Sequence, residues 1–279
     1  MILIAESSST RTEWAVIEGG SITKRIFTEG INPFFQTRRE ISRCVRLNLP
    51  EDFFRRKFDK VFFYGAGCTT DEKKAIVEAS LVAQFKTPIE VESDLLAAAR
   101  GLFIGDPGIA CILGTGSNSC FYNGTSIEKN VRSGGYILGD EGSGAALGRT
   151  FLSDVLKDLA PKHLSELFLE TFRIDPSTAM DSVYRHPFPN RFLATIAFFL
   201  AEHVDNQYVV KLLHQNIKSF FDRSISQYDY QNLPIRFMGS TATLHAQLIK
   251  NISTEFGAHV DLIVDSPLDG LARYHIENL

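Results

Sequence analysis

The chain has 279 residues, 44% of them hydrophobic, 22% charged and 22 of them Phe, which is enough apolar surface to offset chain entropy and excludes wholesale disorder. A length near 280 accommodates one large domain or two ordinary ones, and two are expected. With 29 Lys plus Arg against 33 Asp plus Glu the net charge is -4, so no global basic field would draw in nucleic acid or anionic lipid. The longest unbroken nonpolar run, Ile196 to Ala201, falls far short of the ~20 residues that span a bilayer.

At the start, Ile2 to Ala5 run into Glu6 with no basic prefix, which reads as a buried strand rather than a signal peptide and predicts a cytoplasmic protein. Cys44, Cys68, Cys111 and Cys120 contain no C-x-x-C pair and read as small buried hydrophobes. From Met1 the chain gives a strand, the hydroxyl-rich turn Glu6-Ser-Ser-Ser-Thr-Arg-Thr12, a strand over Glu13 to Ile17, a Gly19-Gly20 turn and a third strand through Phe27. Helix and strand patterns then alternate: Thr37 to Leu47 helical, Val61 to Tyr64 strand, Thr70 to Phe85 helical, Ile89 to Val91 strand, Ser93 to Leu102 helical. Gly105 to Gly108 form a loop of breakers, and the domain boundary is expected there, giving residues 1–105 and 106–279.

A second meander follows: Ile109 to Leu113, the turn Gly114-Thr-Gly-Ser-Asn118, Ser119 to Tyr122, an Asn123-Gly124 turn, and Thr125 to Val131. Its likeness to the first predicts an internal duplication. Beyond Gly144 the sequence is helical to about Gln227, with Val209, Val210, Leu213, Ile217, Phe220 and Phe221 at three- and four-residue steps as core positions. A strand at Ile235 to Met238, a helix from about Ala242, a strand at Val260 to Val264 and a helix near Leu268 to Ile276 close the chain, the last helix being free to pack back on the first domain.

Several chemistries are missing. No Gly-Lys pair exists for a Walker A loop, Gly65-Ala-Gly67 and Gly114-Thr-Gly116 both lack the third glycine of a dinucleotide fingerprint, and no G-x-S-x-G or H-E-x-x-H occurs. The basic run from Arg38 to Lys60 reads as a solvated face. What remains is a set of three small-residue turns that follow strands, at Glu6 to Thr12, Gly114 to Asn118 and Gly239 to Ala242. Such turns let backbone N–H groups approach an anion, because nothing bulky intervenes. Carboxylates accompany them: Ser93 or Asp94 starts a helix after Val91-Glu-Ser-Asp94, as a cap or as a functional acid, and Asp140 and Glu141 lie in Gly139-Asp-Glu-Gly-Ser-Gly144 as acceptors for hydroxyls, unless Asp140 caps the helix after Gly144.

Val91-Glu-Ser-Asp-Leu-Leu-Ala-Ala-Ala-Arg-Gly101, Ile112-Leu-Gly-Thr-Gly-Ser-Asn118, Gly134-Gly135, Gly139-Asp-Glu-Gly-Ser143 and Met238-Gly-Ser240, in this order over nearly the whole chain, resemble the N-acetylglucosamine kinases. These belong to the BadF/BadG/BcrA/BcrD ATPase family of the actin, hexokinase and heat-shock chaperone superfamily. The resemblance implies an α/β fold of duplicated ribonuclease H-like, actin-like ATPase domains with a central cleft, the second domain larger and helix-rich. It also implies ATP and Mg²⁺ as cofactors, a small amino sugar or N-acetylated amino sugar as substrate and, by the same likeness alone, a homodimer.

On this likeness Asp94 is the base for the sugar hydroxyl. Ser9, Thr10, Arg11 and Thr12 form the first phosphate loop, Thr115 and Gly116 the second, and Gly239, Ser240 and Ala242 border the adenosine. Asn32, Ser117, Asn118, Gly135, Asp140 and Glu141 line the sugar, Phe34 takes an aromatic position, and Glu6 serves the metal. The family's first loop reads D-G-G-G-T-x-T or D-S-G-S-T-K-T. Here Glu6 adds a methylene that moves the carboxylate about 1 to 1.5 Å, and Ser8 replaces a glycine of expected positive φ at ~1 kcal/mol or more. Gln215 and Asn216 stand where small residues are usual and are expected to narrow the nucleotide pocket. Asp94, at a helix N-terminus, is expected to be held charged. Two other readings stay open: an ATPase activator of a CoA-ester reductase or dehydratase, which needs cysteine thiolates to hold a cluster, and a non-catalytic sugar or nucleotide sensor.

Overall fold

The computed structural model describes residues 1–278. The first sheet contains β1 (Ile2–Ser7), β2 (Arg11–Glu18), β3 (Ser21–Glu29), β4 (Lys60–Gly65) and β5 (Ile89–Ser93) in the order β3-β2-β1-β4-β5. The three-strand meander is antiparallel, whereas β4 runs parallel to both β1 and β5. β1 is nonpolar from Ile2 to Ala5 because the sheet is covered on both faces. On one face Leu3, Ala5, Trp14 and Phe63 meet Ile41 and Val45 of the helix Arg38–Asn48 and Val77 and Leu81 of the helix Asp71–Phe85. On the other, Ile2, Ile4, Phe62 and Tyr64 meet Ala97 of the helix Asp94–Phe103 and Leu268, Leu271 and Ala272 of the last helix, Leu268–Glu277.

That last helix is tied down at several points. Ser266 Oγ donates to Glu13 Oε2 (2.6 Å), and Tyr64 OH pairs with His275 Nε2 (2.9 Å). Its Gly270 crosses the helix Asp94–Phe103 at Gly101, so closely that a Cβ on Gly270 would overlap the Gly101 carbonyl. Gly270→Ala is therefore expected to destabilise the fold by about 1–3 kcal/mol, roughly 2–10 °C in Tm, despite the better helix propensity of Ala. A thermal melt no lower than wild type would refute the close crossing.

The second sheet contains β6 (Gly108–Leu113), β7 (Ser117–Tyr122), β8 (Ile127–Val131), β9 (Ile235–Met238) and β10 (Val260–Val264), in the order β10-β9-β6-β7-β8. Taken from β8 this is the order of the first sheet, strand for strand, as a duplicated α/β fold requires. Two boundaries of this sheet differ from expectation by two residues. β7 begins at Ser117 rather than Ser119, because Gly114 N bonds Gly116 O (2.9 Å) and closes the turn within three residues. β8 begins at Ile127 rather than Thr125, because Asn123 Oδ1 accepts from the amides of Thr125 and Ser126 (2.9 and 2.8 Å) and keeps both in the turn.

Five longer helices, Gly144–Leu156, Lys162–Phe172, Pro176–Tyr184, Pro189–Ala201 and Gln207–Arg223, lie between β8 and β9. They enclose a core of their own around Phe151, Phe168, Phe199 and Val209. By internal contacts the chain divides into a first unit, residues 1–110, 120–129 and 266 onward, and a second unit, residues 111–119 and 130–265. Among the described residues no helix is long and apolar enough to cross a membrane.

Candidate active site

In the first unit the parallel strands β1, β4 and β5 deliver three segments at their carboxyl ends, the edge where open α/β sheets carry ligands. The first is the β1–β2 turn. Buried Ser7 Oγ and Thr12 Oγ1 lie 2.7 Å apart; Ser7 Oγ accepts from Ile31 N (2.8 Å) and Thr12 Oγ1 donates to Glu29 O (3.0 Å). These hydroxyls fasten the turn to the segment that carries Asn32. Contrary to the expectation for Ser8, no non-glycine residue of the turn has positive φ. Arg11 is laid over the Phe27 ring, 4.9 Å from its centroid, and Glu6 is buried at the end of β1 opposite Glu13 and Tyr64.

The second segment is Gly65 to Cys68, which by sequence alone is only an incomplete dinucleotide motif. Gly67 has φ +81°, and a Cβ there would overlap Asn32 Oδ1 and come within 3.2 Å of the Phe34 ring. Asn32 Oδ1 accepts from Phe34 N (2.9 Å), which leaves the Asn32 amide nitrogen for an outside acceptor. Phe34 is 61% exposed beside Asn32, with Lys73 Nζ 5.2 Å from its ring centroid. The sequence signal that could have found this segment is two glycines just past a buried strand.

The third segment carries Asp94. Ser93 is the cap, its Oγ accepting from Leu96 N (3.2 Å), so Asp94 is the first helical residue and is free of the capping role. Asp94 Oδ1 accepts from Leu95 N (2.9 Å). Although part of the residue stays accessible, burial pushes its carboxyl up to about 6, and the helix-end amides only partly offset that. The expected charge-holding effect of the helix terminus thus loses to desolvation. Nearby Cys68 is pushed up to about 12, first by burial and then by the Asp94 charge.

In the second unit, β6 and β9 are neighbours and their carboxyl-end turns are bonded together: Thr241 Oγ1 donates to Gly114 O (2.9 Å). Gly239, at φ +114°, fits only because it lacks a Cβ that would overlap Leu113 O. Thr241, which sequence reasoning does not single out, thus joins the two turns, while Ala242 is fully buried beneath them and Ser240 is half-buried. Thr115 O and Gly114 O accept from the first amides of the helix Gly144–Leu156, Ala145 N (3.0 Å) and Gly144 N (2.9 Å).

The helix's cap is Ser143, whose Oγ accepts from Ala146 N (3.1 Å), not Asp140. Asp140, in a left-handed conformation (φ +57°), instead turns its carboxylate to the second turn, with Oδ1 accepting from Ser117 N (3.4 Å). A Cβ on Gly116 would stand 3.0 Å from Asp140 Oδ2. Burial pushes Asp140 up to about 6, against the Ser117 and Ser133 hydrogen bonds. Glu141 pairs with Arg223 (2.7 Å). Gly135 (φ +74°) opens a one-turn helix, Gly135–Leu138, whose Ile137 carbonyl accepts from Arg149 (2.8 Å). Asn118 has its Oδ1 engaged by Ser119 N (3.0 Å) and Asn130 Nδ2 (2.9 Å). Asn216 is occupied as well: it accepts from Gly142 N (3.2 Å) and donates to Ser143 O (3.1 Å), buttressing the Asp140 turn, a structural use that the expected narrowing leaves out.

Among the described residues no group of three or more His, Cys, Asp or Glu could hold a metal alone. Mg²⁺ is ordinarily held by one or two carboxylates, waters and substrate phosphates, and Glu6 is the carboxylate that the first turn offers to such a set.

No protein-family model matches the chain, and neither does any curated protein. Among solved structures, a protein of Porphyromonas gingivalis provisionally named an N-acetylglucosamine kinase is 41% identical, with a TM-score of 0.93 over 100% of this chain and 99% of that one. Another of that provisional name, from Chromobacterium violaceum, is 17% identical, with a TM-score of 0.76 and 98% of each chain covered. A ROK hexokinase of Thermus thermophilus shares the fold at 11% identity and a TM-score of 0.55, with 99% of each chain covered.

Proposed function

The chain belongs to the N-acetylglucosamine kinase-like sugar kinases of the BadF/BadG/BcrA/BcrD ATPase family, and from that premise we propose that it transfers the γ-phosphoryl group of ATP to a hydroxyl of an amino sugar or N-acetylated amino sugar. The observation that carries the reading is Asp94: released from capping by Ser93, and raised by burial to about 6, close to the working range of a general base. Its carboxylate takes the proton of the sugar hydroxyl as that oxygen bonds the γ-phosphorus. The bond from phosphorus to the β,γ-bridging oxygen breaks, and its electron pair leaves with ADP. Phosphoryl transfer asks a protein mainly for alignment and charge neutralisation.

Ser9, Thr10 and Arg11 are the phosphate-binding residues this reading assigns in the first unit, with the buried Thr12 fastening their turn from behind; Thr115 and Gly116 are those it assigns in the second. Gly239, Ser240 and Thr241 border the adenosine, with Ala242 packed beneath. Asn32, Gly135, Ser117, Asn118, Asp140 and Glu141 receive the sugar, whose hydroxyls need fixed acceptors such as the two carboxylates. Glu6 is the residue that would hold Mg²⁺, which would supply charge neutralisation on the phosphate oxygens.

Burial of Cys68, Cys111 and Cys120 weighs against the dehydratase-activator reading, since burial also drives Cys68 and Cys120 up to about 12, away from the thiolate a cluster needs. The decisive test is coupled ADP release over a panel of amino sugars and their N-acetyl derivatives, with mass analysis of the product. No sugar-stimulated ADP release rejects the kinase, and sugar binding without ATP binding would point to a sensor. In the same assay Gly67→Ala is expected to raise the sugar KM about tenfold or more, the size of one lost hydrogen-bonded contact, because its Cβ displaces Asn32. The KM for ATP should hold. An unchanged sugar KM would remove Asn32 from the sugar site.

A further inference from the structure

The β1–β2 turn is held rigidly from behind. Ser8 N donates to Arg11 O (2.9 Å) and Gly30 N to Thr10 O (3.0 Å). Gly30 lies so close that a Cβ there would stand 2.6 Å from Ser8 O and 2.8 Å from Arg11 N. Within this fixed backbone the amides of Thr10 and Arg11 converge on one atom, the Ser8 hydroxyl oxygen, at 3.3 and 3.2 Å. The same hydroxyl lies 3.1 Å from Arg11 O, to which it donates, and 3.4 Å from Thr10 Oγ1. Two successive amides pointing into one concavity form the kind of nest that receives an anionic oxygen. Here a neutral side-chain oxygen sits in it, on contacts at the long, weak end of the hydrogen-bond range.

Resting on the kinase reading above, we propose that Ser8 is an affinity-setting latch: its hydroxyl occupies the amide nest, and a phosphate oxygen of ATP must displace it. The backbone has no need to move, since Gly30 and the Ser7–Thr12 hydroxyl pair fix it. Only the Ser8 side chain rotates between rotamers, and the two amides pass from a neutral acceptor to a charged one. Nucleotide binding is therefore weaker than the nest alone would give.

The test uses the full chain and its Ser8→Ala and Ser8→Thr variants, with calorimetry against a nonhydrolysable ATP analogue and hydrogen exchange of the Thr10 and Arg11 amides without nucleotide. Ser8→Ala is expected to bind the analogue about three- to tenfold tighter, the worth of one or two weak internal hydrogen bonds no longer in competition. Its Thr10 and Arg11 amides should exchange faster than in wild type, while Ser8→Thr, which keeps a hydroxyl, should track wild type in both readouts. Equal or weaker binding by Ser8→Ala, or unchanged exchange at those amides, overturns the latch and leaves the kinase reading standing. If none of the three proteins binds the analogue, the kinase reading falls and the latch falls with it.

Discussion

Asp94→Asn is expected to lower kcat by about 10²–10⁴-fold, the usual worth of a positioned general base. The amide keeps the shape of the carboxylate, and its oxygen can still accept from Leu95 N, so the helix start is preserved and the sugar KM should change little. What it cannot do is take the proton. In wild type, burial raises the Asp94 carboxyl to about 6, so kcat/KM should climb as pH rises through 6 and level off above it. The acid limb reports the deprotonated base of the free enzyme. Less than a tenfold loss in kcat would assign the proton to another group; an acid limb that survives in the variant reports Asp140, also raised to about 6.

The double variant Asp94→Asn, Asp140→Asn should be more stable than wild type at pH 8 by roughly 2–4 kcal/mol. Both carboxyls are raised from 3.8 to about 6 by burial, so the folded protein holds their protons more tightly than the unfolded chain does. Their contribution to stability is fully present below about pH 4 and is lost as pH rises through 6. At pH 8 each buried carboxylate therefore opposes folding, by about 1.4 kcal/mol for each tenfold gain in proton affinity on folding, discounted for Asp94 because part of it stays accessible. Neutral Asn removes that burden. Thermal melts at pH 4, 6 and 8 should show the variant's advantage growing with pH, and a flat difference would mean that desolvation does not dominate these sites. His245 and His275 act oppositely in both proteins: burial lowers each to about 4, so their share of stability holds above pH 6.5 and is lost as pH falls through 4. In wild type the two effects largely cancel through mild acid, and the double variant should expose the histidine limb.

Both variants follow from one property of these carboxylates, which sequence reasoning reaches only in part. A strand followed by a helix start singles out the pair Ser93 and Asp94, and only the family resemblance names Asp94 as the base. Which of Ser93 and Asp94 serves as the cap is open at that level, because both types cap well and local sequence does not say whose side chain turns back. The same ambiguity holds at Asp140 and Ser143. In each case the serine takes the cap and the carboxylate is left out of it.

Strand periodicity, turn chemistry and the repeated meander were sufficient to determine the duplicated α/β plan, the extents of β9 and β10, and the identity of the loops, since those depend on interactions within a few residues. Contacts distant in sequence depended on the tertiary fold: Gly67 against Asn32, Thr241 against Gly114, Asn216 against Gly142, and Gly101 against Gly270. The upward drift of the Asp94 and Asp140 carboxyls belongs with these, because desolvation is a sum over everything packed around a group and no local pattern encodes it.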